Sequence, residues 1–427
     1  MQTASYAQLD ETLHIETLEN GLRVCLLPRA GVQKTFGVLA ADFGAADTAF
    51  LAGSGSIKTE VPLGTAHFLE HKLFDNQAYS VHAAFAKLGA ETNAFTSHVE
   101  TAYEFSAAEH PYDCAGLLLD FVQLPNFTEK TVEQEKGIIE QEALMYLDQA
   151  DRQLYLGTLT ALFREHPVRH EALGTIQSVY STTKKHLDLC HELFYHPENM
   201  VLFIGGGFDA SRMMEKVRDN QQAKKFSRRP SVWKMKPAEP ETAAQEEHVF
   251  HMSVSRPKCM VGIKEYGTAI SAEDLQNRLL LTRLVLGCLF SRSGAYYKIL
   301  LEEELIDYSF QYQNVSDRDF GYTLISSTTD SPHDFAGKVK QLLLDARTVE
   351  LPEEDFIRQQ KKLIGGFLRN LNSIETIAQQ QPWYLNHGLD YLRQIEVVQQ
   401  LTVHDARRFL NDWISEDRLG VCMILPG

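Results

Sequence analysis

Residues 67–71 read His-Phe-Leu-Glu-His, which places two imidazoles four positions apart with a carboxylate directly before the second. If residues 63–74 are helical, positions i, i+3 and i+4 share one face, so His67, Glu70 and His71 converge. Pro62 suits the start of such a helix. Two imidazoles one turn apart can hold a zinc ion through neutral ring nitrogens, and the glutamate at the metal's edge can accept a proton from a water there. Read alone, the same three residues also suit the polar side of an ordinary helix.

A catalytic zinc site needs a third protein ligand and one open position. The best candidates lie in TVEQEKGIIEQEALMYLDQ, residues 131–149, where Glu135 and Glu142 stand two helical turns apart. They share a face, with Ile138 and Ile139 at its margin. Carboxylates on a partly apolar face are costly to bury unless a positive partner meets them, and a zinc ion would be such a partner. With Glu133, Glu140 and Gln141 close by, the stretch also reads as a solvated charged face.

The elements that must position these residues follow a repeated order. LHIETLENGLRVCLLPR and TFGVLAADFGA carry alternating and β-branched residues around Asn20-Gly21, which predicts a hairpin leading into a sheet. Helical patterns follow in AYSVHAAFAKLGA, in YDCAGLLLDFVQL and from 128 toward 163, before a strand in NMVLFIGGGFD. HVFHMSVSRPKCMVGIKEY opens the second half in the same way; DLQNRLLLTRLVLGCLF and residues 354–371 read as helices, and RLGVCMILPG as a last strand. The expectation is an α+β fold of two related domains, each a mainly antiparallel sheet with helices packed on one face. Prolines and a run of charge in 219–247 mark a linker, giving domains at 1–218 and 248–427.

Composition narrows the function. The chain has 427 residues, 44% of them hydrophobic, and a formal charge of −16. That is ordinary for a globular protein, and the acidic balance disfavours nucleic acid or an anionic membrane as partner. Acidic residues near the N-terminus do not suit a signal peptide, and no run reaches the roughly 18 apolar residues of a membrane span, so a cytoplasmic location is expected. Cys25, Cys114, Cys190, Cys259, Cys288 and Cys422 are scattered singly, which suggests buried small residues rather than a disulfide framework or thiolate site.

HFLEH (67–71), TNAFTS (92–97) and EKGIIEQE (135–142), followed by HPVRHEALGT and FYHPENMVLFIGGG, resemble in order and spacing the inverted zinc metallopeptidases of the pitrilysin, insulin-degrading enzyme and mitochondrial processing peptidase family. Among its members the resemblance is nearest to bacterial zinc subunits of about this length. It implies one Zn²⁺ held by His67, His71 and Glu142, with Glu70 as general base and Glu135 orienting a ligand histidine through its free ring N–H. It further implies that TNAFTS is the edge strand to which an extended peptide adds, with Asn93, Ala94 and Phe95 binding substrate.

The same resemblance exposes a gap. Complete members use an arginine and a tyrosine seven apart, and in SGAYYKILLEEELIDYSF (293–310) Tyr308 fits the tyrosine while Leu301 occupies the arginine position. A zinc-less homologous subunit supplying the arginine is therefore expected as partner in a heterodimer, with a homodimer as the runner-up assembly. The implied function is hydrolysis of peptides or short unfolded segments, either in general processing or in maturing a ribosomally made peptide such as a bacteriocin. A non-catalytic peptide-binding subunit is the alternative.

Other signals carry less. Gly205-Gly206-Gly207 lacks the spacing of a nucleotide loop, and His166, His170 and His196 sit beside prolines, which favours turns. His82 and His98 read as ordinary surface or core residues, Glu302–Glu304 as an exposed helix face, and the basic cluster from Lys224 to Lys236 as a solvated hinge.

Overall fold

The computed structural model describes residues 1–53, 57–265 and 271–427. In chain order the first elements are β1 (Gln2–Tyr6), β2 (Glu11–Thr17), β3 (Arg23–Pro28), β4 (Thr35–Ala41), β5 (Ala49–Ala52) and β6 (Ile57–Glu60). They are followed by α1 (Thr65–Phe74), α2 (Val81–Lys87), β7 (Ala90–Thr96), β8 (Thr101–Ala107), α3 (Pro111–Gln123), α4 (Glu129–Leu147) and α5 (Ala150–Leu162). Then come α6 (Ile176–Ser181), α7 (Lys184–Phe194), β9 (Met200–Gly206), α8 (Ala210–Gln222) and β10 (Val232–Lys234). The remainder holds β11 (Glu247–Met252), β12 (Lys258–Lys264), α9 (Ala272–Phe290), α10 (Ala295–Glu302), β13 (Gln311–Ser316) and β14 (Gly321–Thr328). It closes with α11 (Pro332–Asp345), α12 (Glu353–Asn370), α13 (Ile374–Asn386), α14 (Gln394–Gln400), α15 (Val403–Trp413) and β15 (Leu419–Pro426).

The chain forms two compact units, one of 1–143, 171–235 and 369–393, the other of 144–170, 236–368 and 394–427. Their main boundary, between Met235 and Lys236, falls inside the proline-bearing stretch 219–247. Composition suggests two continuous halves; the units instead interleave, each taking a helix from the opposite half. α5 lies on β15, β12 and β11 of the second unit, and α13 lies on β9 and β4 of the first.

The first unit is built on a seven-stranded sheet in the order β1-β2-β3-β9-β4-β8-β7. Every pairing is antiparallel except β3 with β9. The turn joining β2 to β3 is set by Asn20, whose side-chain oxygen accepts the Leu22 N–H at 3.2 Å, and by Gly21 at φ +88°, a left-handed value that favours glycine. α1 and α3 cover the face of Tyr103 and Phe105: Phe74 and Phe121 lie 6.1 and 5.8 Å from the Tyr103 ring. Glu104 points the opposite way and accepts from Gln379 of α13 at 3.1 Å. With both faces covered, all seven residues of β4 and of β9 are buried, which explains their almost uninterrupted apolar character. β10, β5 and β6 form a separate three-stranded sheet.

The second unit repeats the scheme. Its sheet runs β11-β15-β12-β14-β13, with β11 and β15 parallel and the other pairs antiparallel. That is the order and direction of β3-β9-β4-β8-β7, so the two units are related in topology. Gly157 of α5 is what lets this helix approach: a Cβ there would sit 2.5 Å from the Cys422 sulfur and from the Phe250 ring. All six cysteines are buried free thiols. Among the described residues no helix is long and apolar enough to cross a membrane.

Candidate metal centre

α1 brings His67, Glu70 and His71 to one side while Phe68, Leu69 and Leu73 enter the core. Its N-terminus is fixed by Gly64 at φ +82°, where a Cβ would fall 2.0 Å from the Leu173 carbonyl oxygen. α4 buries Val132, Lys136, Ile139 and Ala143, a stripe at helical spacing that turns Glu135 and Glu142 toward α1. Ile138, placed by periodicity at the margin of that face, is exposed, whereas Ile139 is buried. Glu135 and Glu142 are therefore not part of a solvated face: their side chains are 13% and 21% exposed, against 66% for Glu133.

The three expected ligand side chains come together. One ligand atom from each of His67, His71 and Glu142 lies within 4.8 Å of the other two, the only such cluster of metal-binding side chains among the described residues. Oε2 of Glu142 is 3.7 Å from Nε2 of His67 and 3.6 Å from Nε2 of His71. Two donors each about 2.1 Å from an ion at a tetrahedral angle would stand about 3.4 Å apart. The observed separations are close to that span, and two imidazoles with one carboxylate are a zinc donor set. On the far side of the ring, Nδ1 of His71 lies 3.1 Å from Oε1 of Glu135, the arrangement that directs Nε2 toward a metal.

Electrostatics follow from this crowding. Burial pushes the Glu70 carboxyl above its usual range, opposed by the Thr96 hydroxyl and by His71 and reinforced by Glu142. Burial alone would depress His71; its hydrogen bond to Glu135, then the charges of Glu135, Glu70 and Glu142, reverse this and raise it. Burial would likewise raise Glu135, but His71 and Lys72 outweigh it and hold the carboxyl low. A pocket that gathers this much negative charge around two imidazoles is suited to a divalent cation.

Residues 92–96 of TNAFTS lie in β7, the edge strand of its sheet. Ala94 and Thr96 pair with Tyr103 and Thr101, on the face that α1 covers, and Asn93 pairs with Glu104 on the other face. Asn93 is exposed and Phe95 half-buried. The composition gives no hint that Thr96 donates its hydroxyl to Oε2 of Glu70 at 2.5 Å, because the two residues are 26 positions apart. Lys72 is the second surprise: it sits among the buried residues of α1 and bonds to α4.

Residues outside this cluster fall elsewhere. Tyr308 belongs to the second unit, 93% exposed between α10 and β13, and Leu301 is exposed on α10. His166 and His196 each accept a backbone N–H with Nδ1 at the start of a short 3-10 turn, and His82 stacks on Phe74. The basic cluster is not wholly solvated. Lys224 is almost buried and pairs with Asp120, Arg229 bonds to Leu193 and Asn199, and Lys234 pairs with Asp42 and Asp47, strapping this stretch to the first unit.

Comparison with known proteins identifies relatives of the chain. Residues 45–176 match the insulinase family, peptidase family M16, and residues 181–363 match the domain described as the peptidase M16 inactive domain. The chain is 39% identical to the zinc protease YmfH of Bacillus subtilis over 421 residues, covering 99% of this chain and 98% of that protein. It is 31% identical to the zinc protease AlbF of Bacillus subtilis over 209 residues, 48% of each chain. The crystal structure of an M16-like peptidase from Alicyclobacillus acidocaldarius has a TM-score of 0.94 at 36% identity and covers 98% of this chain and 99% of its own.

Proposed function

Because this chain belongs to peptidase family M16, the insulinase family, we propose that it is a zinc metalloendopeptidase that hydrolyses peptides or short unfolded segments. The observation that carries this reading is the approach of His67 Nε2 and His71 Nε2 to one oxygen of Glu142, at 3.7 and 3.6 Å. His67, His71 and Glu142 hold the ion. When bound, zinc supplies a Lewis acid that polarises a carbonyl and acidifies a water.

The chain's own residues do the rest. Glu70, on the same face of α1, takes a proton from the attacking water and returns it to the leaving amine. Thr96 fixes one oxygen of that carboxylate, and Glu135 fixes the ring of His71. Among the described residues β7 is the edge strand of its sheet, on which a substrate strand can lie, with Asn93, Ala94 and Phe95 along it. Backbone pairing carries little sequence information, so it suits a peptidase of broad specificity. Maturation of a ribosomally made peptide such as a bacteriocin and general peptide processing both fit this chemistry.

The family resemblance puts Leu301 where complete members carry arginine, so we further propose a heterodimer in which a zinc-less homologous subunit supplies that residue and Tyr308 contributes to substrate binding. Six buried free thiols suit a reducing compartment, which supports a cytoplasmic location. The test is direct. The purified chain should bind zinc and cleave an unfolded peptide weakly, with activity rising on addition of the arginine-bearing subunit, and E70Q should keep the metal and lose hydrolysis. Strong activity of the chain alone would refute the partner requirement; an unaltered rate in E70Q would refute the mechanism.

A further inference from the structure

Lys72 directly follows His71, yet its side chain is only 1% exposed. An ammonium this deep in a protein is costly unless each of its protons is satisfied and its charge is met. Three acceptors converge on it. Nζ lies 3.1 Å from the Thr131 carbonyl oxygen and 3.4 Å from Oε2 of Glu135, and it also pairs with the Asp75 carboxylate just beyond the end of α1. Thr131 and Glu135 are one turn apart on α4, so the ammonium ties the helix that carries both histidines to the helix that carries Glu142.

The two oxygens of Glu135 are thus divided. Oε2 receives Lys72, and Oε1 faces Nδ1 of His71 at 3.1 Å. For Nε2 of His71 to offer a lone pair to a metal, Nδ1 must carry the proton, and a fixed carboxylate acceptor at Nδ1 selects that tautomer and ring orientation. A carboxylate held at one oxygen only could rotate away from the ring. Lys72 removes that freedom.

We propose that Lys72 is a positioning residue for the metal centre, raising zinc affinity through Glu135 and His71. The proposal rests on the zinc reading given above. A competing effect has the opposite sign, because a cation beside the site repels another. Asp75 in contact with Nζ cancels most of that charge at a distance, whereas the hydrogen bond to Glu135 acts at contact, so the positioning effect wins.

The experiment is competition for zinc between the protein and a chromophoric chelator, on wild type, K72M, E135Q and the double variant, with thermal midpoints recorded alongside. E135Q is expected to weaken zinc binding by about 10- to 100-fold and K72M by about 10-fold. The double variant should be no weaker than E135Q within about threefold, since Lys72 acts through Glu135. The visible spectrum of the cobalt-loaded protein should shift alike in K72M and E135Q, which a merely structural loss would not produce. If K72M does not fold, K72L, which likewise removes the donor, takes its place. Unchanged or tighter zinc binding in the Lys72 variant, or fully additive losses, would overturn the proposal while leaving the zinc reading intact. A wild-type chain that takes up no zinc would remove both.

Discussion

The hydroxyl of Thr96 donates to Oε2 of Glu70 at 2.5 Å, joining the edge strand on which substrate is proposed to lie to the proposed general base. Anchoring one oxygen narrows the directions in which the other can point, which matters for proton transfer more than for binding. T96V, which keeps shape and removes the donor, should lower kcat about tenfold with KM changed less than about threefold. T96S should recover most of the rate. Equal kinetics in T96V and wild type, measured on the zinc-loaded enzyme in its active assembly, would contradict the role.

Gly64 sets the start of the helix that bears the histidines. Its φ of +82° strains any side chain, and a Cβ would lie 2.0 Å from the Leu173 carbonyl oxygen. Gly31 has a similar φ of +78° but open space around it. G31A should therefore cost about 1–2 kcal/mol, the backbone strain alone, and G64A more than that, with weaker zinc binding besides. Thermal and urea midpoints of the two variants give the comparison; equal losses would show that the clash at Gly64 is relieved cheaply.

Glu265, just past β12 in the second unit, should make stability depend on pH. Burial pushes its carboxyl up to about 7, opposed by the Ser316 hydroxyl, 2.8 and 2.7 Å from its two oxygens, by Arg278 at 3.8 Å and by the charge of Arg418. A folded-state value above the ordinary 4.5 means that the protonated form is favoured on folding. The stability it contributes is full below pH 4.5 and is lost as the pH rises through about 7. Relative to E265Q, wild type should lose roughly 3 kcal/mol across that window, read from denaturant midpoints. Parallel pH profiles for the two proteins would show that Ser316, Arg278 and Arg418 keep the carboxylate ionised throughout.

The parts of this site legible in the sequence are those set by local periodicity. The i, i+3, i+4 spacing of His67, Glu70 and His71 and the seven-residue spacing of Glu135 and Glu142 each fix a helix face, and Asn20-Gly21 fixes a hairpin. Between those faces, the pairing of α1 with α4 is only suggested by carboxylates on a partly apolar face, and the family resemblance is what implies Glu142 as the ligand. Neither the Thr96–Glu70 bond nor the burial of Lys72 is encoded locally: a lysine after His71 reads as solvated until Thr131, Glu135 and Asp75 are seen around it. The interleaving of the units is equally silent, because the apolar stripes of α5 and α13 say that each helix is covered, not by which sheet. The basic stretch 224–236 misleads for a similar reason, since its partners Asp42, Asp47 and Asp120 lie about 100 or more positions upstream.

The central claim is that His67, His71 and Glu142 close around one ion while Glu70 stands outside the coordination. Zinc content per chain, measured by elemental analysis on wild type, H67A, E142A and E70Q purified identically, tests it most directly. Wild type and E70Q should hold one equivalent, and H67A and E142A substoichiometric metal. A wild-type chain without zinc, or an E142A chain that keeps its full equivalent, would contradict it.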